Sequence, residues 1–215
     1  MSKLSTFEKW IRTALSEPLP GQSAQKLMMP SLHSKSRFDL NTGKTARPGA
    51  VMILFYQQKN ELKFPLILRP DYDGVHGNQV SFPGGKKDPE DGSLIQTALR
   101  ETEEEIGVAQ GAIQVIGFLT ELYVVASNFN VLPVVGFTSK PPEFTPDPHE
   151  VELIMQVKVS DLMNEQLRKE KKMKIMHGIS INAPYFELEQ QVVWGATSMI
   201  LSELFVLLKR FKGSF

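Results

Sequence analysis

The chain contains no cysteine, so disulfide bonds and thiolate chemistry are excluded. A chain without cysteine is compatible with a reducing compartment, and we expect a cytoplasmic protein. No apolar run approaches the roughly 20 residues that a membrane-spanning helix needs, and the N-terminus lacks the apolar stretch of a secretion signal. We therefore expect neither membrane insertion nor export.

The formal net charge is zero, because 24 lysine and arginine residues balance 24 aspartate and glutamate residues. Such a chain has no overall attraction to nucleic acid or anionic lipid, so we expect no nucleic-acid partner. Internal repeats and low-complexity tracts are missing as well. What is present is a chain of 215 residues, which is enough for one domain with a sizeable core.

Two parts of different composition can be distinguished. Residues 1–47 are predicted to form an N-terminal helix and an arm, and residues 48–215 form the main domain. Within residues 5–15, apolar side chains recur at helical spacing, which predicts an amphipathic helix that either packs on the domain or forms a homodimer contact. Residues 17–47 are rich in proline, serine and lysine, which predicts an extended or loosely ordered arm.

The main domain alternates apolar segments with polar ones. Six segments of strand length predict a sheet: 50–56, 64–69, 80–82, 112–123, 131–137 and 151–159. The charged run 165–174 is expected to be a solvated helix or loop, and the alternating segment 179–188 an edge hairpin. Residues 193–209 are apolar over a wide face, which predicts a buried last helix with Trp194 in the core.

The chain is organised around residues 82–108, where a Gly-Gly turn leads through an acidic loop into a helix. Ser93 and Gln96 have the spacing of a capping box, which predicts that the helix starts at Ser93. Gly107 is expected to end it in a left-handed conformation. At about 100° per residue, the apolar side chains between these ends share one stripe that faces the core.

Three glutamates, Glu101, Glu104 and Glu105, line one edge of that stripe, whereas Glu103 falls on the far side. Like charges at these spacings repel, and the negative end of the helix dipole makes their position less favourable still. A divalent cation would resolve the conflict, and hard carboxylate oxygens suit Mg²⁺ or Mn²⁺. The alternative is a solvated acidic face without a ligand.

The stretch resembles the Nudix box, whose pattern is G-x5-E-x7-R-E-U-x-E-E-x-G-U with U a bulky apolar residue. The matching residues are Gly85, Arg100, Glu101, Glu104, Glu105 and Gly107. The chain departs from this pattern in three places. Asp91 stands near the first glutamate, the loop before Arg100 is one residue longer, and Thr102 occupies the first apolar position.

A longer loop with an aspartate resembles one branch of the family, the coenzyme A pyrophosphatases. Their box is similar to F-P-G-G-x-x-D-x-x-D-x5-T-A-x-R-E-x-x-E-E-x-G, and four further residues match it: Asp88, Asp91, Thr97 and Ala98. A second signature of that branch precedes the Gly-Gly turn, where His76, Gln79 and Ser81 are similar to the family. Gly74 stands where the family has arginine, and Arg69 is the candidate replacement for that substrate contact.

The resemblance covers residues 48–210 and implies an α/β fold, the Nudix-type α/β/α sandwich with a mixed β-sheet. It also implies that Glu101 and Glu105 are the principal metal ligands and that Glu104 is a further ligand or supports the base. Arg100 would orient Glu104. Glu150, from a late loop, is the candidate that completes the metal site or acts as catalytic base.

The implied substrate is a diphosphate, whose charge the metal would neutralise. Gly84 and Gly85 would let the backbone approach the phosphates, and four side chains are candidates for substrate binding: Arg69, His76, Gln79 and Lys86. The implied reaction splits coenzyme A or its acyl esters into 3′,5′-ADP and 4′-phosphopantetheine. The alternatives are hydrolysis of ADP-ribose, a dinucleotide or another nucleoside diphosphate derivative, and a non-catalytic module that senses a nucleotide.

Overall fold

The structure is a computed structural model that describes residues 3–31, 46–71, 78–174, 180–213 and 215. Its strands are β1 (Arg47–Gln58), β2 (Glu61–Leu68), β3 (Val80–Ser81), β4 (Gly84–Lys86), β5 (Ile113–Phe118), β6 (Leu122–Val124), β7 (Phe129–Thr138), β8 (Leu153–Lys158), β9 (Arg168–Lys174), β10 (Ser180–Leu188) and β11 (Gln191–Trp194). Its helices are α1 (Lys3–Ser16), α2 (Gly21–Lys26), α3 (Leu94–Ile106), α4 (Val159–Leu162) and α5 (Gly195–Leu208). Among the described residues, no helix is long and apolar enough to cross a membrane.

The central sheet is mixed. Its main path runs β3-β2-β1-β7-β5, while β4, β6 and β8 pair with β1, β7 and β2 respectively. β1 and β7 are parallel, and the remaining pairs are antiparallel. β1 and β2 are joined by a tight turn at Lys59 and Asn60, whose φ angles are 50° and 63°. The predicted strands end at residue 56 and resume at residue 64, whereas β1 extends to Gln58 and β2 begins at Glu61, so only two residues connect them.

Alternate residues of β1 face opposite layers, as the pleat of a strand requires. Ile53 and Phe55 belong to an apolar cluster that includes residues of α1 and α5. Met52 and Leu54 belong to a separate cluster that includes Ala98 of α3. Helices therefore cover both faces of a mixed sheet, which confirms the predicted α/β/α sandwich.

The N-terminal helix is confirmed, and α1 buries Phe7 and Ile11 in the cluster that it shares with β1. Its apolar face is covered by its own chain, which favours packing on the domain over a dimer contact. The prediction of an extended arm over residues 17–47 is wrong for residues 21–26, which form α2. Residues 32–45 lie outside the described part of the chain.

A buried polar contact holds α2 in place. A helix of six residues has little stability of its own, but the Gln25 side chain of α2 is fully buried and donates from Nε2 to Glu203 Oε2 at 2.9 Å. Glu203 is fully buried in α5 and also accepts from the backbone N–H of Gly21 at 3.0 Å. Partners so distant in sequence explain why the segment itself does not predict the helix.

A smaller antiparallel sheet has the order β11-β10-β9. The prediction of a solvated helix or loop over residues 165–174 holds for residues 165–167, which form a short 3₁₀ helix. It is wrong for residues 168–174, which form β9 and pair with β10. The predicted edge hairpin at residues 179–188 is corrected too, since β10 is the middle strand. The last helix is confirmed as α5, but Trp194 ends β11 and is only half-buried, not in the core.

Candidate active site

The glutamate-bearing helix α3 begins and ends where local signals predict. Ser93 is extended and its side chain accepts from the backbone N–H of Gln96 at 3.2 Å. The Gln96 side chain in turn accepts from the backbone N–H of Gly92 at 3.0 Å, one residue before the expected partner. Gly107 has φ 73° and donates its N–H to the carbonyl of Glu103. These contacts fix where each glutamate of the helix lies.

Gly84 and Gly85, which were predicted to form a turn, begin strand β4 instead, and they let backbone and carboxylate approach closely. Gly84 has φ 150°, and a Cβ there would lie 2.3 Å from the carbonyl oxygen of Ala50 in β1. A Cβ at Gly85 would lie 2.5 Å from Glu101 Oε1. Gly84 is therefore required by the protein's own packing, whereas a side chain at Gly85 would displace the Glu101 carboxylate. The role of both glycines in approaching phosphates stays a prediction.

Glu105 is the most buried of the three glutamates, with 1% of its surface exposed. Its Oε2 accepts from the backbone N–H of Gly84 at 2.7 Å, and its Oε1 accepts from Arg69 Nη2 at 2.7 Å. Burial raises the pKa of the Glu105 carboxyl to about 7, against the opposing effects of Arg69 and the Gly84 N–H. The nearby charges of Glu101 and Glu150 raise the pKa of Glu105 further.

Glu101 and Glu104 lie in two different environments. Glu101 is half-buried, and burial raises the pKa of its carboxyl although Arg100 Nη2 lies 3.0 Å from its Oε1. Glu104 is exposed and accepts from Arg100 Nη1 at 2.7 Å. The predicted pairing of Arg100 with Glu104 is confirmed, and Glu103 is exposed as expected and accepts from the Gln110 side chain.

Arg100 is anchored mainly by Asp91, a contact that the sequence reasoning did not assign. Its Nε and Nη2 donate to Asp91 Oδ1 and Oδ2 at 3.1 and 3.0 Å, and Nη2 also donates to the Lys86 carbonyl at 3.2 Å. Asp91 is buried and accepts from Thr97 Oγ1 at 2.9 Å and from the backbone N–H of Asp88 at 3.0 Å. The Arg100 guanidinium holds the pKa of the Asp91 carboxyl well below its usual range. Asp91 and Thr97, which match the coenzyme A pyrophosphatase box, are the sequence feature that could have predicted this contact.

Arg69 joins two of the predicted acidic residues. Besides Glu105, its Nη2 donates to the carbonyl of Gly84 at 3.1 Å, and its Nη1 lies 3.8 Å from Glu150 Oε2. Glu150 itself is exposed at the rim of the site, with 55% of its side chain accessible. The late-loop glutamate is therefore brought to the same place as the helix glutamates.

The other predicted substrate-binding residues are less well defined. Gln79 pairs through its backbone carbonyl with the N–H of Arg69 at 3.0 Å. Lys86 is exposed at the end of β4, one residue beyond Gly85. His76 lies outside the described residues. Lys86 is thus placed beside the site, and the backbone carbonyl of Gln79 helps to position Arg69.

The donor set fits a hard divalent cation in its chemistry. Within the described residues, no group of three or more acidic or histidine side chains is arranged to hold a metal ion, and Arg69 and Arg100 are paired with Glu105 and Glu104. Glu101 and Glu150 nevertheless lie close enough to Glu105 to raise the pKa of its carboxyl, and carboxylate oxygens are the ligands that Mg²⁺ and Mn²⁺ prefer. These three carboxylates, together with Glu104, are the residues available to hold the ion.

Comparison with known proteins supports a family assignment. The family model of the NUDIX domain matches residues 46–177. An uncharacterized Nudix hydrolase, NudL of Yersinia enterocolitica, is 36% identical over 140 residues, which are 65% of this chain and 70% of the relative.

Two solved structures are similar in fold. A Nudix hydrolase from M. smegmatis, RenU, superposes with a TM-score of 0.54 at 12% identity, covering 79% of this chain and 90% of the other. The MutT protein of Methanosarcina mazei superposes with a TM-score of 0.51 at 15% identity, covering 78% and 98%. At these identities the likeness concerns the fold alone.

Proposed function

The chain belongs to the Nudix hydrolase family, and we propose that it is a Mg²⁺- or Mn²⁺-dependent pyrophosphohydrolase that cleaves coenzyme A or its acyl esters. Members of this family are hydrolases that act on diphosphate bonds of small nucleotide substrates, and they generally need divalent metal ions. The observation that carries the proposal is the buried Glu105 carboxylate, held by the Gly84 N–H beside Glu101. Such a group is suited to bind a cation at a diphosphate.

The choice of coenzyme A rests on the resemblance of the box to one branch of the family. Asp88, Asp91 and Thr97 are features of that resemblance, and the structure gives two of them a joint role. The buried Asp91 carboxylate accepts from Thr97 and clamps Arg100. The longer loop with its aspartate is therefore an ordered element beside the carboxylates, which supports the assignment to this branch.

Each proposed role follows from the position of a side chain. When bound, the cation neutralises phosphate charge and lowers the pKa of a bound water. Glu101 and Glu105 would hold the cation, and Glu104, which Arg100 orients, would be a further ligand. The exposed Glu150 takes the proton of the attacking water. The water oxygen bonds to one phosphorus and the bridging P–O bond breaks, which releases 3′,5′-ADP and 4′-phosphopantetheine.

Positive side chains at the rim are proposed to bind the substrate phosphates. Lys86 is exposed next to the glycine turn and is the first candidate, while Arg69 is close to the carboxylates that would hold the cation. Gln79 and His76 stay predictions from the resemblance. A homodimer also stays a prediction, and sedimentation velocity would measure it.

The test is hydrolysis by the full-length protein, with Glu105→Gln as the informative variant and Glu103→Gln as its matched control. Coenzyme A, acetyl-coenzyme A, ADP-ribose and diadenosine tetraphosphate are each incubated with Mg²⁺ or Mn²⁺, and the products are separated by chromatography. We expect 3′,5′-ADP from both coenzyme A substrates. Loss of one carboxylate ligand should lower kcat by about 10²-fold or more, whereas the exposed Glu103 should tolerate the same change.

The pattern of products and variants distinguishes the alternatives. Rapid cleavage of ADP-ribose without cleavage of coenzyme A would overturn the proposed substrate. The proposed diphosphate hydrolase activity would still hold. Nucleotide binding without cleavage of any diphosphate would indicate a sensing module. Glu150→Gln belongs in the same series, and an unchanged kcat would remove Glu150 from the role of base.

A further inference from the structure

We propose that Arg69 is an exchangeable counter-ion, which holds Glu105 in the metal-free protein and gives up that carboxylate when a divalent cation binds. The inference rests on the metal-dependent function proposed above. It states that the Arg69 side chain competes with the cation for the Glu105 carboxylate. The freed guanidinium then faces the substrate phosphates. Arg69 is thus a positioning residue that exchanges one anion for another.

The position of Arg69 follows from the pleat of β2. Successive side chains of a strand point to opposite faces, and Ile67 lies in the cluster that faces α3. Arg69, two residues further, continues on that face toward the helix. Its backbone N–H donates to the carbonyl of Gln79 at 3.0 Å, which extends the pairing of β2 beyond Leu68. The backbone of Arg69 is therefore fixed while its side chain reaches the glutamates.

The two contacts of Glu105 differ in kind, because one is made by the backbone and the other by a long side chain. Its Oε2 is held by the backbone N–H of Gly84, the first residue of β4, which pairs with β1. Its Oε1 is held by the end of the long Arg69 side chain. A cation at Oε1 therefore has to replace a guanidinium, but it does not have to move the backbone that orients the carboxylate.

The second arginine of the site is held differently. Arg100 makes a two-point contact with the buried Asp91 and further contacts with the Lys86 carbonyl and Glu104. Two-point contacts of this kind are strong and geometrically specific. Arg69 contacts both Glu105 and the Gly84 carbonyl through Nη2 alone. Its Nη1 is 3.8 Å from the exposed Glu150. Of these two arginines, Arg69 is the one without a two-point contact to a buried carboxylate.

The test measures binding of Mn²⁺ alone, by isothermal titration calorimetry at pH 8.5, to the full-length protein and its Arg69→Gln variant. Removing the competitor is expected to lower the Kd for Mn²⁺ about tenfold. Arg12→Gln is the control for loss of one positive charge, because Arg12 is paired with Glu8 on the surface of α1. It should leave the Kd unchanged.

A double variant locates the effect at one carboxylate. In the background of Glu105→Gln, the change Arg69→Gln should no longer tighten Mn²⁺ binding. Arg69→Lys keeps the charge without the planar fork, and an intermediate Kd is expected. Thermal unfolding of each variant establishes that it is folded, and Arg69→Lys carries the test should the glutamine variant fail to fold.

Several results would overturn the inference. Weaker or unchanged Mn²⁺ binding in Arg69→Gln would mean that Arg69 supports the site or is irrelevant to the metal. An equal gain in Mn²⁺ affinity in Arg12→Gln would mean that the effect comes from the loss of one positive charge. A gain from Arg69→Gln that persists in the Glu105→Gln background would mean the same. Because no substrate is present, failure to cleave coenzyme A would not affect this result, and absence of Mn²⁺ binding throughout would refute the exchange itself.

Discussion

The Asp91→Asn substitution tests whether the clamp on Arg100 stabilises the protein. Asp91 is buried and accepts four hydrogen bonds, from Arg100 twice, from Thr97 Oγ1 and from the Asp88 N–H, at 2.9–3.1 Å. An asparagine removes the charge and turns an NH₂ group toward at least one of these donors. The guanidinium then loses its principal partner.

The magnitude follows from burial and exposure of the two partners. Removing one member of a buried ion pair costs about 3–5 kcal/mol, but the Arg100 side chain is 20% exposed and keeps Glu104 as a partner. We therefore expect a loss of about 3 kcal/mol in the free energy of unfolding. For a chain of this size that corresponds to a decrease in Tm of about 6–12 °C.

The assay is urea unfolding followed by tryptophan fluorescence, with Asp88→Asn as the matched control. Asp88 lies in the same loop, but its side chain is 55% exposed and 3.7 Å from Arg100, so a change below about 0.5 kcal/mol is expected. Equal losses for the two variants, or a loss under 1 kcal/mol for Asp91→Asn, would refute the clamp.

The same variant gives a signed dependence on pH. Arg100 lowers the pKa of Asp91 in the folded state, whereas the unfolded value is about 3.9. A lowered pKa in the folded state contributes stability that is fully present above the unfolded value and is lost as the pH falls toward the folded value. The difference between wild type and Asp91→Asn should therefore be constant from pH 7 to about pH 5 and shrink below pH 4. A difference that grows on acidification would contradict this reasoning.

Two further predictions concern glycine packing and the buried N-terminal contact. Gly85→Ala places a Cβ 2.5 Å from Glu101 Oε1, so Glu101 must move, and kcat should fall about 10²-fold with a small change in Tm; an unchanged kcat contradicts it. Glu203→Gln presents an amide to the donors of Gly21 and Gln25. It should lower the free energy of unfolding by about 1–3 kcal/mol and expose α2 to proteolysis, while kcat per folded molecule is unchanged.

Sequence periodicity predicted those parts of the fold that local signals determine. Ser93, Gln96 and Gly107 act within one or two turns of α3, so its bounds could be read from the chain. Apolar segments likewise predicted β1, β2, β3, β5, β7 and β8 of the central sheet. They did not predict β4, which was read as a turn, or the division of segment 112–123 into β5 and β6. The helix α2 and the strand β9 depend on partners elsewhere, and the composition of each segment favours another structure.

The same distinction between local and distant contacts applies to the candidate site. Helical spacing predicted that Glu101, Glu104 and Glu105 share an edge and that Arg100 reaches Glu104, since these relations lie within one helix. It did not predict that Glu105 is the buried member.

Burial of Glu105 depends on the Gly84 turn and on Arg69, which come from other elements of the sheet. A helix face can show which carboxylates are neighbours, but the cation that balances them comes from the fold. For this reason the contact of Arg69 with Glu105 joins local sequence to tertiary structure, and the affinity for a divalent ion should depend on a residue outside the box.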